Sequence, residues 1–322
     1  MGRKITVILL LFGCAAITIV QFLAARREVA VVLSFPPEGQ IINVQGHSVH
    51  AFVKGSGPDL VLIHGASGNA RDFTFDFVDR LKDRYRVTVL DRPGLGHSSS
   101  VIHSEAAVFA TQGSSPSQQA KVLVGAMRAL NLKNSIVLGH SLGGIVALAM
   151  ALDYPNDVSS LVLVSSVSNP WPGDLGWFYK LNGSLIGGAI VPPILSAFVT
   201  NKLVESNVAE IFEPQIAPNG YLEHIGAGLV LRRDTMRANA RQVFGLKAHV
   251  KKISGRYGQL NLPVEILHGN KDTIVPFQIH SKKLVNQIEN AVLTVLPGIG
   301  HMPHHTNPDV IISAIDRAAI RP

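Results

Sequence analysis

Residues 137–144 read VLGHSLGG, a lone serine between glycine-bearing turns that follows directly on an apolar run. Upstream, SIVLG (135–139) has the make-up of a buried strand. Downstream, Leu142–Tyr154 is an alanine-rich stretch of helical character stopped by Pro155. A strand that turns sharply into a helix leaves the turn residue at the strand's carboxyl end, where open parallel sheets bind their ligands. GHSLG (139–143) has the spacing Gly-x-Ser-x-Gly, which holds a serine in a strained conformation with its hydroxyl clear of the backbone. The same five residues also read as a loop that happens to contain Ser141, so the rest of the chain decides.

Outward from this stretch the chain alternates. Short β-type runs fall at Ile41–Val44 and His47–Lys54, followed by LVLIHG (60–65), apolar enough to be buried on both faces. Apolar residues at 73, 77, 78 and 81 predict a helix over Phe73–Leu81. RVTVLDRPG (86–94) predicts a strand, Ser117–Leu130 a helix and VSSLVLVSS (158–166) another strand. After an interruption, PVEILHG (263–269), a helix near Phe277–Ile288, AVLTVLPG (291–298) and a helix over Pro308–Ala319 resume the pattern. This is the signature of an α/β fold with a mostly parallel central sheet flanked by helices. Neither flank completes a sheet alone. The expected organisation is one core from 41–168 and 260–322, with a helical cap inserted over 169–259.

A serine hydroxyl is a weak nucleophile until a base takes its proton, and the base needs an orienting acid. Both should follow later strands. Asp272 stands three residues beyond Gly269 and His301 three beyond Gly298, so the order is Ser141, Asp272, His301. The residues after VSSLVLVSS, 167–169, contain no carboxylate, and Asp174 comes too late to serve as the acid. His97 and Ser98 form a rival pair without the following helix that an elbow requires.

These motifs together resemble the α/β-hydrolase fold family. HGASG (64–68) is similar to the family's oxyanion loop and DRPGLGHS (91–98) to its turn after the next strand. GHSLGG, GNKDTIVP and GIGHMPHH resemble the three triad motifs, and the likeness runs from about 41 to 318 outside the insertion. It implies Ser141 as nucleophile, His301 as general base, Asp272 as acid, and the backbone N–H groups of Ala66 and Leu142 as oxyanion donors. It implies no metal and no organic cofactor. The expected activity is hydrolysis of carboxylic esters of apolar, small-to-medium substrates through an acyl-enzyme. Carbon–carbon bond hydrolysis or perhydrolysis with the same triad is the alternative, and a non-catalytic membrane scaffold the reading from another class. Asp91 and Arg92 read as a turn-fixing pair, His64 and His140 as backbone supports, and His304 and His305 as solvated or capping residues with no carboxylate nearby to complete a metal shell.

The first 27 residues carry Arg3, Lys4, Arg26 and Arg27 and no acid; without them the balance is 25 basic to 22 acidic side chains, no footprint for nucleic acid. Ile5–Ala25 is uncharged and as a helix spans roughly 31 Å, the thickness of a hydrocarbon core. We read 1–27 as a single-pass membrane anchor rather than a cleaved signal or a lipoprotein signal at Cys14, with the remaining chain on the non-cytoplasmic side. Cys14 is the sole cysteine, so the rest of the chain has neither a disulfide nor a thiol nucleophile. The insertion holds both tryptophans. Trp171, Trp177 and Phe178 are candidates for an apolar acyl pocket, while its basic stretches, Arg232–Arg241 and Lys247–Lys252, are expected to face solvent or anionic headgroups.

Overall fold

The computed structural model describes residues 2–173 and 176–320. Helix α1 (Gly2–Ser34) precedes strands β1 (Gln40–Val44), β2 (His47–Lys54) and β3 (Asp59–Ile63). Next come α2 (Arg71–Thr74), β4 (Arg86–Leu90), α3 (Pro116–Ala129), β5 (Ser135–His140), α4 (Leu142–Asp153) and β6 (Val158–Val164). Five helices follow without a strand among the described residues: α5 (Trp177–Gly183), α6 (Leu185–Phe198), α7 (Asn201–Phe212), α8 (Tyr221–His224) and α9 (Arg233–Ser254). The chain closes with β7 (Val264–Gly269), α10 (Ser281–Leu284), β8 (Ala291–Leu296), α11 (Pro303–Thr306) and α12 (Pro308–Ile320).

The eight strands form one sheet in the order β1-β2-β4-β3-β5-β6-β7-β8. The pairs β1–β2 and β2–β4 are antiparallel and all others parallel. Parallel strands need crossovers, and these lay helices on both faces, so the central strands are apolar on both sides. Val61, Ile63, Val137, Leu161 and Ile266 pack with α3 and α4 on one face. Leu60, Leu62, Leu138, Val162 and Leu267 face Phe73, Phe77, Ile311 and Ile315 on the other. β3 and β5 thus lie in the middle of the sheet, and whatever follows β5 is held from both sides.

Two predicted helices are shorter than their apolar spacing suggests. Over Phe73–Leu81 only α2 is α-helical, and successive turns carry the chain to Arg84; Phe73, Phe77, Val78 and Leu81 are buried regardless, because the turns repeat with nearly the same pitch. Over Phe277–Ile288 only α10 is helical. The two basic stretches of the insertion depart from expectation in the first only, Lys251 and Lys252 of the second being exposed. They form one continuous helix, α9, and its first half is buried: Arg241 is fully enclosed and donates to the carbonyls of Glu105, Ala107 and Val108. Further along α9, Val243, Leu246, Val250 and Ile253 join the core beneath the sheet. Arg241 therefore fastens the insertion to the core.

Candidate active site

Ser141 sits between the last residue of β5 and the first of α4, with φ +54° and ψ −120°, a region few non-glycine residues adopt. Its N–H donates to the Val164 carbonyl (3.0 Å), and its own carbonyl accepts from Gly144 (3.1 Å) and Val167 (3.1 Å). The turn needs its glycines because backbones crowd it. A Cβ at Gly143 would stand 2.2 Å from the Ile63 carbonyl oxygen, and one at Gly65 would stand 2.9 Å from Ser141 Cβ. Gly65 thereby lets the loop after β3 close over the serine.

His301 Nδ1–H donates to Asp272 Oδ2 at 2.7 Å, and both side chains are buried. The other carboxylate oxygen of Asp272 accepts the N–H groups of Ile274 (2.9 Å) and Val275 (2.8 Å). Burial alone would raise this carboxyl. The His301 imidazole beside it, with hydrogen bonds from His268 and His301, outweighs burial and holds it well below the usual carboxylate range. Among the described residues His301 Nε2 has no hydrogen-bond partner. His140 Nε2–H donates to the His301 carbonyl (2.9 Å), tying the loop of the histidine to the residue preceding Ser141. Burial, with His304 and His301 alongside, keeps the His140 pKa well below its ordinary value, so it is a neutral strut.

The N–H groups of Ala66 and Leu142 have no acceptor among the described residues, Leu142 as the first residue of its helix. The loop bearing Ala66 is braced from three sides. The Gly65 carbonyl accepts from His64 Nδ1–H (2.9 Å) and from the buried Arg92 guanidinium (3.0 Å). His64 Nε2 in turn accepts the Arg92 N–H at 3.0 Å. Ser67, at φ +52°, is held by Asn239 of α9, which accepts its N–H and donates to its hydroxyl, each at 2.9 Å. Asp91 and Arg92 fix their turn separately: Asp91 accepts from Ala70 N–H (2.6 Å) and His97 N–H (2.8 Å), while Arg92 donates to Gln119, Gly65 and Gln242. Ser98 donates to the Asp91 carbonyl and His97 bonds the Phe35 carbonyl, so the rival pair serves the turn.

Trp171 packs at the edge of the core, its ring 6.1 Å from that of His280. Trp177 is 75% exposed and Phe178 39%, so neither lines an enclosed pocket here; α5 turns Asn182 and Gly183 inward and these two rings outward. Asp174 lies outside the described residues. His304 and His305 are buried, not solvated, and a carboxylate does reach them: Asp72 bonds His304 Nε2 (3.3 Å), His305 Nε2 (2.9 Å) and the Tyr221 hydroxyl (2.8 Å). These three ligand-type side chains lie within 4.8 Å of one another, and their present geometry is a hydrogen-bond knot in which Asp72 is the acceptor for all.

Two functional neighbours escaped the sequence reading. His268, the penultimate residue of β7, shares Nε2–H between Asp272 Oδ2 (3.1 Å) and the Val275 carbonyl (2.8 Å), with Ser281 Oγ 2.6 Å from Nδ1. The signal was its place four residues before Asp272 at the end of a strand. His280 Nδ1 accepts the N–H groups of Ser168 (3.1 Å) and Asn169 (3.2 Å), anchoring the start of the insertion. Nothing local marks that role.

A model of the alpha/beta hydrolase family matches residues 60–314. A pimeloyl-[acyl-carrier protein] methyl ester esterase of Vibrio atlanticus is 28% identical over 82% of this chain and 95% of its own length. A 2-hydroxy-6-oxononadienedioate/2-hydroxy-6-oxononatrienedioate hydrolase of Pseudomonas putida is 27% identical over 82% of this chain and 85% of its own. Among solved structures, a membrane phospholipase A described as a bacterial virulence factor superposes with a TM-score of 0.66 at 19% identity over the whole of both chains, a likeness of fold. With the family model covering most of the chain and the eight-stranded sheet matching its architecture, this chain is a member of the alpha/beta hydrolase family.

Proposed function

We propose that this hydrolase cleaves carboxylic esters of apolar, small-to-medium acyl groups through a Ser141–His301–Asp272 triad, held at a membrane by α1. The observation that carries the reading is the strained Ser141 at the head of α4, with a His301 whose carbonyl is bound by the residue preceding that serine, whose Nδ1 is bound to a buried carboxylate and whose Nε2 has no partner among the described residues. In this reading Ser141 Oγ attacks the ester carbonyl carbon while His301 Nε2 takes its proton. The carbonyl oxygen, now an anion, accepts hydrogen bonds from the N–H groups of Ala66 and Leu142. Collapse expels the alkoxide, which takes that serine proton from His301, and leaves an acyl-serine. Water, deprotonated by His301, then attacks that acyl carbon, and His301 hands the proton to the departing Ser141 Oγ, which releases the acid and restores the free enzyme. Asp272 stays ionised throughout and holds the imidazole in the tautomer with Nε2 unprotonated. The helices between β6 and β7 act as a cap over this site.

The anchor reading rests on Ile5–Ile19, exposed on every side of α1, an arrangement that suits lipid and not water. The catalytic part then lies on the non-cytoplasmic side.

The test is turnover of p-nitrophenyl esters of increasing chain length by the full chain in detergent micelles, against Ser141→Ala, alongside labelling by a fluorophosphonate. Turnover lost in the variant supports the esterase, and the preferred length sizes the acyl group. Labelling of Ser141 without turnover of any ester moves carbon–carbon hydrolysis, the activity named for the Pseudomonas putida relative, to the front. No labelling of folded protein points to the scaffold reading.

A further inference from the structure

We propose that the α5–α6 hairpin of the insertion embeds in the same bilayer leaflet as the C-terminal end of the α1 span, so that the enzyme meets the membrane with its insertion as well as its anchor. The proposal rests on the anchor reading of α1 and extends it to a second surface.

The first observation is where α1 stops being bare. Residues 3–19 are exposed throughout, whereas Val20, Gln21, Leu23, Ala24, Ala25, Glu28 and Val31 are partly or fully covered. The covered stripe thus begins within the apolar run, before it ends at Ala25. Whatever covers Val20–Ala25 shares their depth in the bilayer. The insertion does so: α6 lies along α1, Arg233 at the head of α9 bonds both Gln21 and Glu28, Ser196 of α6 bonds Glu28, and Arg27 donates to the Val199 carbonyl.

The second observation is what α6 shows to the outside. Ile186 (74% exposed), Ile190 (53%), Ile194 (45%) and Phe198 (53%) recur every four residues and form one stripe. On α5, Trp177 and Leu181 are exposed as well. The opposite side of α6, with Gly187, Gly188, Pro192, Pro193 and Ala197, is the buried one. From Gly176 to Phe198 the sole charged residue is Lys180. The two helices together are apolar enough to pass as a membrane span but are bent by 106° at their junction. α6 alone is roughly 21 Å long, short of the about 30 Å of a hydrocarbon core, so the pair enters one leaflet and does not cross.

The two observations fix the occupant. An apolar stripe with no acidic residue, preceded on the adjoining helix by an exposed Trp177 and joined side by side to a membrane span at the depth where that span leaves the hydrocarbon, fits a lipid interface. Exposed Arg26, Arg27 and Lys202 at its margin suit the headgroups of an anionic leaflet. The hairpin also meets the core beneath it, where Tyr179 of α5 packs against the main hydrophobic cluster.

The single cysteine makes the test direct. In full-length protein reconstituted into vesicles of phosphatidylglycerol and phosphatidylcholine, an environment-sensitive fluorophore on native Cys14 reports the anchor. The same fluorophore on Ile186→Cys in a Cys14→Ser background reports the hairpin. On Asp309→Cys in that background it reports water, because Asp309 lies in the first turn of α12, on the sheet face opposite α9, with its side chain 92% exposed. The expected result is a blue shift and quenching by doxyl-lipids at 186 comparable to position 14, with neither at 309. A quenched Cys14 label with a water-like 186 label overturns the hairpin proposal and leaves the anchor reading standing. Water-like emission at both positions sinks the anchor and the proposal with it. A blue shift at 186 without lipid quenching overturns it in favour of a second protein copy on the stripe. As an independent arm, Ile186→Glu with Ile190→Glu, both on exposed positions, should lower hydrolysis of a vesicle-embedded ester about tenfold and leave a water-soluble ester within about twofold; equal effects on both substrates count against it.

Discussion

Ser141 holds a backbone conformation that costs on the order of 1–3 kcal/mol, and the residues around it show what maintains it. Its N–H and carbonyl are both bound to neighbouring strands and turns, and the glycines at 65 and 143 leave the room it needs. A methyl group at Gly65 meets Ser141 Cβ at 2.9 Å, so one of the two loops must move. We expect Gly65→Ala to lower kcat on the order of 10²-fold with a smaller change in KM, as for a misplaced reacting atom; wild-type kcat in this variant would show the loop has slack. Asp272→Asn should cost on the order of 10³–10⁴-fold in kcat, because an amide there favours the wrong tautomer of His301. Esterase kinetics at one pH, with circular dichroism to verify folding, decides both. At this scale the candidate site was legible. Ser141, Asp272 and His301 each fall a few residues beyond an apolar run, and each run is a real strand. His268 was equally near a strand end but went unnoticed, since its role depends on where the Asp272 side chain turns back.

Histidines on the connecting elements are fixed in their neutral form by what they accept. His64 Nε2 takes the Arg92 N–H, and His280 Nδ1 takes two N–H groups from the start of the insertion. A proton on either nitrogen breaks those bonds, and burial, the chief cause, brings both pKa values down to about 4. A folded pKa below the unfolded value of about 6.5 means that the unfolded chain binds more protons between them. The contribution is therefore complete above about pH 6.5 and declines as pH falls toward 4, by up to about 1.4 kcal/mol per pH unit for each histidine. Urea unfolding of the full chain in micelles at pH 7.5, 6.5, 5.5 and 4.5 should show a falling midpoint across this window, and His280→Gln should flatten it. A midpoint unchanged between 6.5 and 4.5 would refute the assignment. Elements were less legible than the site. Phe73–Leu81 carries helical spacing yet folds mostly as turns, because burying those four side chains does not require regular hydrogen bonds between them. Arg237 and Arg241 read as a solvated face of α9, and are buried because carbonyls of Gly188, Glu105 and Ala107 solvate them from segments distant in sequence.

At the scale of the whole molecule, a helix that begins as an exposed apolar rod ends as part of the fold, and the joint is polar. Glu28 accepts from the Arg233 N–H, Nε and Nη2, each at 2.8 Å, and bonds Ser196 at 3.3 Å. Burial works to raise the Glu28 carboxyl, and Arg233 outweighs it, leaving the pKa below the ordinary value. One carboxylate thus ties α1 to both α6 and α9. None of this was legible in the sequence, where Glu28 looks like a charge trailing a membrane span and its partners stand 168 and 205 residues away. Removing it by Glu28→Ala leaves a half-buried guanidinium and the first N–H of α9 unpaired, a loss of about 1–2 kcal/mol. The Tm of the full chain in micelles should fall by a few degrees, with Glu28→Gln intermediate because its amide oxygen still accepts. The depressed pKa gives the sign with pH: the tie is whole above the unfolded value of about 4.5 and is lost as pH falls through the folded one, so the gap between wild type and Glu28→Ala should narrow in strong acid. A Tm unchanged by Glu28→Ala at neutral pH would show that α1 and the insertion unfold independently. It would also remove the fixed depth that sets α6 at the membrane surface.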